Sequence, residues 1–393
     1  MDPDRPVSVL ESDILILDLH SNKFQGKNLI LGSSVHALDY SYNNFTSITQ
    51  NISSYLLAGG ATFLSFSNNQ IKGEIPAYIC ELADLESLDL SHNNFSGPIP
   101  QCLGSIRNLA VLNLRGNNLE GVIPDNFREN STLEKLDLNG NNQLTGTFPS
   151  RLGGMPQLRV LILRSNRLHG PWGNNASECN FPMLQIIDVS FNNFSGIISK
   201  ECFSSWNGMM VAEKYPDFFD GVLGFGFEFT DVNYQETLTI TIKGVEMEVV
   251  KIIDSFTTID FSNNRFEGGI PESIGSLTLL RTLNFSRNAL TGPIPSIIGN
   301  LSNLDQIRTF PSSAFEGNDG LCGFPLAKNC SSIIDSQPPN VLGSDQDGFD
   351  WILFTVTFFG FVVGASMVIG PQYFWKKGRE WANERINRIL CIS

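Results

Sequence analysis

The stretch Leu85 to Pro100, LESLDLSHNNFSGPIP, constrains this chain more than any other feature, because the same frame returns along most of its length. It recurs from Leu109 to Pro124 as LAVLNLRGNNLEGVIP and from Leu280 to Pro295 as LRTLNFSRNALTGPIP. A register of about two dozen residues, kept through so many turns, points to a stack of short coils, each burying its apolar face against the next. Within the unit, Leu88 and Leu90 flank Asp89 at a spacing of two, so both leucines share one face of a short strand and the aspartate takes the other. Asn93 closes the strand with a side chain that donates and accepts, as a tight turn inside a stack requires. The expected ladder runs Asn22, Asn43, Asn69, Asn93, Asn117, Asn141, Asn166, Asn192, Asn264 and Asn288. Phe95 and Ile99 re-enter the core, Gly97 takes a backbone conformation closed to other residues, and Pro100 starts the return on the far side. With strands ~4.8 Å apart, about ten such coils form a curved rod on the order of 50 Å long.

The 393 residues would suffice for two or three globular domains, but the repeat argues for one elongated domain. A net charge of −14 argues against nucleic acid as a partner. That charge is unevenly spread, because the tail after Pro371 carries Lys376, Lys377, Arg379, Arg385 and Arg388 against only Glu380 and Glu384. Just before this tail, Trp351 to Gly370 has 20 residues without a charge, about 30 Å as a helix, which predicts a single transmembrane span. An acidic spacer, 331–350, precedes the span, and the basic tail, 371–393, follows it, so the repeats are expected outside and the tail in the cytoplasm. Sequons at Asn44, Asn51, Asn94, Asn130, Asn175, Asn193, Asn284, Asn300 and Asn329 all precede the span. Cys80 and Cys102, and likewise Cys179 and Cys202, stand about one coil apart, so each pair reads either as a bridge between neighbouring turns or as two buried thiols. No Walker loop, G-x-S-x-G elbow or histidine cluster is present, and the tail is too short for a kinase, so neither catalysis nor a cofactor is expected.

The G-x-I-P ending, as in Gly73 to Pro76, Gly121 to Pro124 and Gly292 to Pro295, resembles the plant-specific class of leucine-rich repeat. With the span and the short tail, the chain from about residue 14 onward resembles the C-terminal part of a plant leucine-rich-repeat receptor-like protein, a cell-surface receptor without a kinase of its own. The resemblance implies an α/β-type repeat solenoid, a right-handed superhelix with a parallel β-sheet on its concave face, followed by one transmembrane helix. The expected division is repeats over 1–198, an island insertion over 199–255, repeats again over 256–309 and a cysteine cap over 310–330, whose Cys322 and Cys330 would close the end. The island follows from the ladder, since Asn192 to Asn264 is roughly three times the usual step, and TLTITIKGVEMEVV within it predicts a hairpin turning at Lys243 and Gly244. No further strand, asparagine and G-x-I-P are expected after Asn288. Neither a secretion signal nor an N-terminal cysteine pair opens the chain, so a piece of a longer receptor or a truncated product is expected.

By the same resemblance, an extracellular peptide, protein or glycan ligand would bind the repeats and the island. A leucine-rich-repeat co-receptor kinase and an adaptor receptor kinase would transmit the signal from the plasma membrane. Gly360 and Gly364 form the G-x-x-x-G by which helices approach closely in lipid, and the resemblance links such a motif to the adaptor. The candidate ligand residues are His92, Arg115, Lys135, Arg159 and Arg164, a basic patch on an otherwise acidic face that suits a carboxylate or acidic peptide. Immune recognition is the leading expectation. A developmental peptide receptor, a soluble-type inhibitor of microbial wall-degrading enzymes and a truncated decoy are the alternatives.

Overall fold

The computed structural model describes residues 16–26, 35–48, 60–128, 131–172, 178–210, 238–242, 245–249, 256–302 and 310–330, all within one compact unit, Met1–Ile333. Ten three-residue strands form one parallel sheet, each pairing with the strand of the next coil, from Ile16–Asp18 through Ser87–Asp89 and Ile186–Asp188 to Thr282–Asn284. The register is uniform, as where Ser87, Leu88 and Asp89 face Val111, Leu112 and Asn113. A second parallel sheet of nine strands, from Lys72–Gly73 to Gly320–Cys322, runs along the other side of the turn. Short 3₁₀ helices such as Gln101–Ser105, entered through Pro100, carry the chain back. The core leucines fall inside as the spacing predicts, with Leu88 and Leu90 fully buried and Phe95 and Ile99 nearly so.

The asparagine ladder is the stitching between coils. Asn93 donates from Nδ2 to the carbonyl of Phe66 in the preceding coil (2.8 Å) and to Leu90 and Ser91 in its own (3.3 and 3.1 Å). Its Oδ1 accepts from the backbone nitrogen of Ile71, again in the preceding coil (3.0 Å). Asn117, Asn166 and Asn264 repeat the pattern of donation to both coils. The residue before each rung, from Ser21 to Gly317, sits at a φ between +51° and +73° or, at Gly317, +75°, a left-handed turn that swings the next side chain inward. For non-glycine residues this conformation is strained, and the bonds made by the asparagine hold it in place. Gly97, at φ +76°, serves the second sheet, where it stands opposite the core residue Leu119 of the next coil.

Two boundaries differ from the sequence expectation. The ladder does not end at Asn288. Asn318 takes a further rung, donating to Phe285 and Phe315 (3.0 and 2.9 Å) and accepting from the nitrogen of Leu290 (3.1 Å). The strand Gly320–Cys322 then pairs with Ala289–Pro293, so the cap is itself a partial coil. Nor does the insertion begin at residue 199. The α-helix Lys200–Ser205 and the turn Asn207–Met209 stay in the stack, with Cys202, Phe203, Trp206 and Met209 fully buried. Trp206 donates from Nε1 to the carbonyl of Cys179 (2.8 Å), and its ring meets Phe261 edge-on. The stack is thus described through Met210 and again from Phe256. The strands on either side of the excursion, Ile186–Asp188 and Thr258–Asp260, pair directly.

The disulfides Cys80–Cys102, Cys179–Cys202 and Cys322–Cys330 are all formed. The first two join neighbouring coils, the second at the foot of the excursion, and the third closes the cap. Between residues 238 and 249 two antiparallel strands face each other, Ile242 opposite Val245. This leaves a two-residue connection where the hairpin was expected, although Lys243 and Gly244 themselves lie outside the described residues. Residues 331–393, with the spacer, the expected span, Gly360, Gly364 and the tail, also lie outside them. Among the described residues no helix is long and apolar enough to cross a membrane.

Asn141 is fully buried and bonds the carbonyls of Leu114 and Leu138 and the nitrogen of Leu119. Asn141→Ala strands these three backbone groups, so it should cost about 3–5 kcal/mol in chemical denaturation. Asn22→Ala, at an exposed rung, should cost about 1 kcal/mol or less.

Candidate functional site: the strand face

Three columns of side chains run along the face of the ten-stranded sheet. The central one, the third residue of each strand, is largely Asp or Asn, and its job is local. The Oδ1 of Asp39, Asp89, Asp137, Asp188 and Asp260 each accepts from the backbone nitrogen two residues on, at 2.8–3.0 Å, capping the strand end. Asn284 does the same with Ser286. These residues belong to the framework, as their spacing suggests.

Two strands depart from the pattern: Phe63–Ser65 ends on Ser65, whose hydroxyl is buried, and Val160–Ile162 ends on an aliphatic residue. At Val160–Ile162 the central position is Ile162, which has no cap to give, and Arg164 two residues on reaches across to the next coil. Its guanidinium donates to Ser190 Oγ (2.8 Å), lies 3.8 Å from Asp188 Oδ2, and stacks 4.5 Å over the ring of Phe191. On the neighbouring column, Arg159 donates from Nε to Gln185 (3.0 Å) and approaches Glu134 (3.9 Å). Lys135 and Arg115 both act on the carboxyl of Asp137. Four of the five residues picked from sequence thus converge on consecutive coils. His92 stands one coil earlier, at a left-handed position, with its ring close over Gly116.

These cations are interleaved with acids, and in this respect the expected basic patch is corrected. Burial pushes the carboxyl of Asp137 up from the usual range, against the pull of Lys135 and Arg115. Burial, and then the charge of Asp260 on the adjoining strand, push Asp188 up to about 7, opposed by Ser190 and Arg164. Asp260 is raised by burial as well. The arrangement is a lattice of opposed charges in a low dielectric. Asp188 and Asp260 meet because the strands on either side of the excursion pair directly, as the ladder step from Asn192 to Asn264 implies.

The family pattern described as leucine-rich repeat matches residues 107–168, and single repeats match 61–82, 84–106, 255–277 and 279–301. Among curated proteins of Arabidopsis thaliana, receptor-like protein 18 is 32% identical over 67% of this chain and 30% of its own length. Receptor-like protein 54 is 33% identical over 70% of this chain and 34% of its own length. Receptor-like protein 33 is 44% identical over 25% of this chain and 10% of its own. The chain thus spans from a tenth to about a third of the length of these relatives. Among solved structures, the Arabidopsis receptor kinase HAESA, in complex with the peptide hormone IDA and the co-receptor SERK1, shares the fold. It superposes with a TM-score of 0.56 at 24% identity, over 79% of this chain and 42% of that one. A plant ice-binding protein superposes with a TM-score of 0.53 at 25% identity over 76% of each chain. The stack, its ladder and these matches define a leucine-rich-repeat protein. Within that class, the chain is a plant leucine-rich-repeat receptor-like protein.

Because Asp188 keeps its proton to higher pH folded than unfolded, the native state binds more protons than the unfolded chain between about pH 4 and about 7. The contribution of Asp188 to stability is therefore full below this window and falls as pH rises through it. Asp188→Asn keeps an acceptor for Ser190 and removes the titration. Urea denaturation across this window should show a flatter profile for the variant, by on the order of 1 kcal/mol.

Proposed function

We propose that this chain is the ligand-reading portion of a cell-surface receptor-like protein, with the repeats outside, residues 351–370 crossing the plasma membrane and the tail inside. It performs no catalysis and signals through a partner receptor kinase, in recognition of a microbial or damage-derived molecule. The observation that carries the reading is the break at Ile162 and Arg164. There the column of capping Asp and Asn gives way to opposed charges, next to the coil whose strand pairs across the insertion. The ligand lies across the strands from Val111–Asn113 to Ile186–Asp188, meeting Arg115 and the exposed edges of Arg159 and Arg164, whereas Lys135, also expected there, is almost fully buried and acts on Asp137 from within. A peptide or protein bearing carboxylates suits this surface, since it exchanges one set of acid partners for another. Solved relatives of the fold that hold peptide hormones and co-receptors support a peptide ligand and a kinase partner in general terms.

The test is a full chain given a secretion signal and expressed in leaf tissue, then challenged with fractionated microbial and wounded-tissue extracts. A receptor kinase should co-precipitate in a ligand-dependent way, and Arg115→Glu with Arg164→Glu should abolish that dependence, at least tenfold, while the chain stays folded and at the surface. Full retention in the double variant would remove the strand face from ligand binding.

A second expectation concerns the span. Replacing Gly360 and Gly364 with leucine should separate closely packed helices and cut recovery of the kinase several-fold at unchanged abundance. Unchanged recovery would rule out packing through these glycines.

A further inference from the structure

From Asn43 to Asn318 the Oδ1 of each described ladder asparagine accepts a backbone N–H of the preceding coil, at 3.0–3.2 Å, with one exception. The Oδ1 of Asn166 is buried and meets no donor among the described residues. A buried acceptor left unmet weakens the contact it belongs to, and in a ladder this regular it has a local cause.

The cause lies one coil back. In the regular rungs the donor is the residue two after an asparagine, as Ile71 is after Asn69 and Leu119 after Asn117. Behind Asn141 one extra residue intervenes, so the core residue is Leu144, three along. Its N–H turns back to the carbonyl of Asn141 (2.9 Å) and is lost to Asn166. The same geometry occurs at Asn318, the last described rung, where Leu321 stands three along and donates to the carbonyl of Asn318 (3.1 Å). The coil of Asn141 thus carries the turn of a last coil, although further coils follow it. The second sheet is thinner at the same place. Thr145 and Gly146 pair with Arg167 and Leu168, two residues where the joints on either side pair three. The strand side is intact, because Lys135 to Asp137 pair with Val160 to Ile162 in full and Asn166 still donates to the carbonyl of Leu138 (3.0 Å).

We propose that the stack consists of two blocks meeting between the coils of Asn141 and Asn166, and that this joint opens on its second-sheet side while the strand side holds. In a solenoid, stability is a sum over coils and the joints between them, so one weak joint decides where opening starts. A joint tied along one side and loosened along the other bends instead of parting. Arg115 and Arg164 stand on opposite sides of it, so a ligand meeting both would brace the bend; that consequence rests on the strand-face reading, whereas the joint does not.

The test uses the full chain with a supplied secretion signal, extracted in mild detergent with no ligand added, and follows backbone amide exchange by mass spectrometry. After correction for intrinsic rates, peptides over Leu144 to Phe148 should exchange about tenfold faster than those over Phe95 to Ile99 and Leu119 to Ile123. Peptides over Leu136 to Leu138 should stay as slow as those over Leu112 to Leu114. Equal protection of the three turns would overturn the joint, and equally fast exchange of the strand peptides would overturn its one-sided opening. Deleting Asn142 gives Asn141-Gln143-Leu144 the spacing of Asn69-Gln70-Ile71 and returns the N–H of Leu144 to Asn166. The deletion should slow the turn to the rate of its neighbours and raise the melting temperature by about 2 °C. A folded deletion variant whose turn still exchanges fast would overturn the assigned cause. Should the deletion prevent folding, the comparison of turns in the native chain decides alone.

Discussion

The structure depends on how a buried tight turn satisfies its backbone. A coil that reverses direction inside a stack leaves carbonyl and amide groups pointing at neither strand partner nor water, and such groups cost roughly 1–3 kcal/mol each when unmet. One amide side chain per coil meets them, as Asn93 does for Phe66, Leu90, Ser91 and Ile71. Everything else in the repeat is arranged around that side chain. The left-handed residue before it turns it inward, the leucines of the short strand fill the space beneath it, and the capping aspartate closes the strand on its open side.

A scaffold so regular makes its own exceptions informative. The excursion after Met210 is accommodated without loss of register, because its foot is fixed by Cys179–Cys202, by the indole of Trp206 on the carbonyl of Cys179, and by an aromatic cluster. In that cluster Phe261 lies against Trp172, Phe266 and Phe285 at ring-centre distances of 5.2–5.6 Å. With the foot rigid, the strands on either side pair as if the excursion were absent. The break in the central column at Ile162 and the charges around Arg164 and Asp188 therefore sit on firm ground, which a recognition surface requires if ligand binding is not to be spent on ordering it.

Much of this was legible in the residues. The ladder, the core leucines and the between-coil cysteine pairs follow from a fixed period, which carries three-dimensional information at unusual density. What escaped did so for identifiable reasons. Asn318 follows SSAFEG, where Ser313 and Phe315 replace the usual pair of leucines, yet Gly317-Asn318-Asp319-Gly320-Leu321 has the same spacing as Gly140-Asn141-Asn142-Gln143-Leu144. The irregular rung at Asn141 was thus the key to the one at the cap. Residues 200–210 read in sequence as insertion, because the return side of a coil carries no repeating signature beyond its buried positions. The charge lattice escaped because pairing of Lys135, Arg159, Arg164 and Asp188 with their partners is a property of neighbouring strands, which linear spacing alone does not rank.

The ladder also has a direction. Each asparagine serves its own coil and the one before it, never the one after. Peeling a coil from the end nearer Asn22 uncovers side chains that still keep the carbonyls of their own turn. Peeling from the other end exposes main-chain groups of the coil left behind, as removal of Asn318 would do to Leu290 and Phe285. The two faces of a coil are therefore unlike, one showing amide side chains and the other main-chain groups, and Cys322–Cys330 clasps the last described turn. A pull applied beyond that clasp would meet a ratchet whose first tooth is covalently locked.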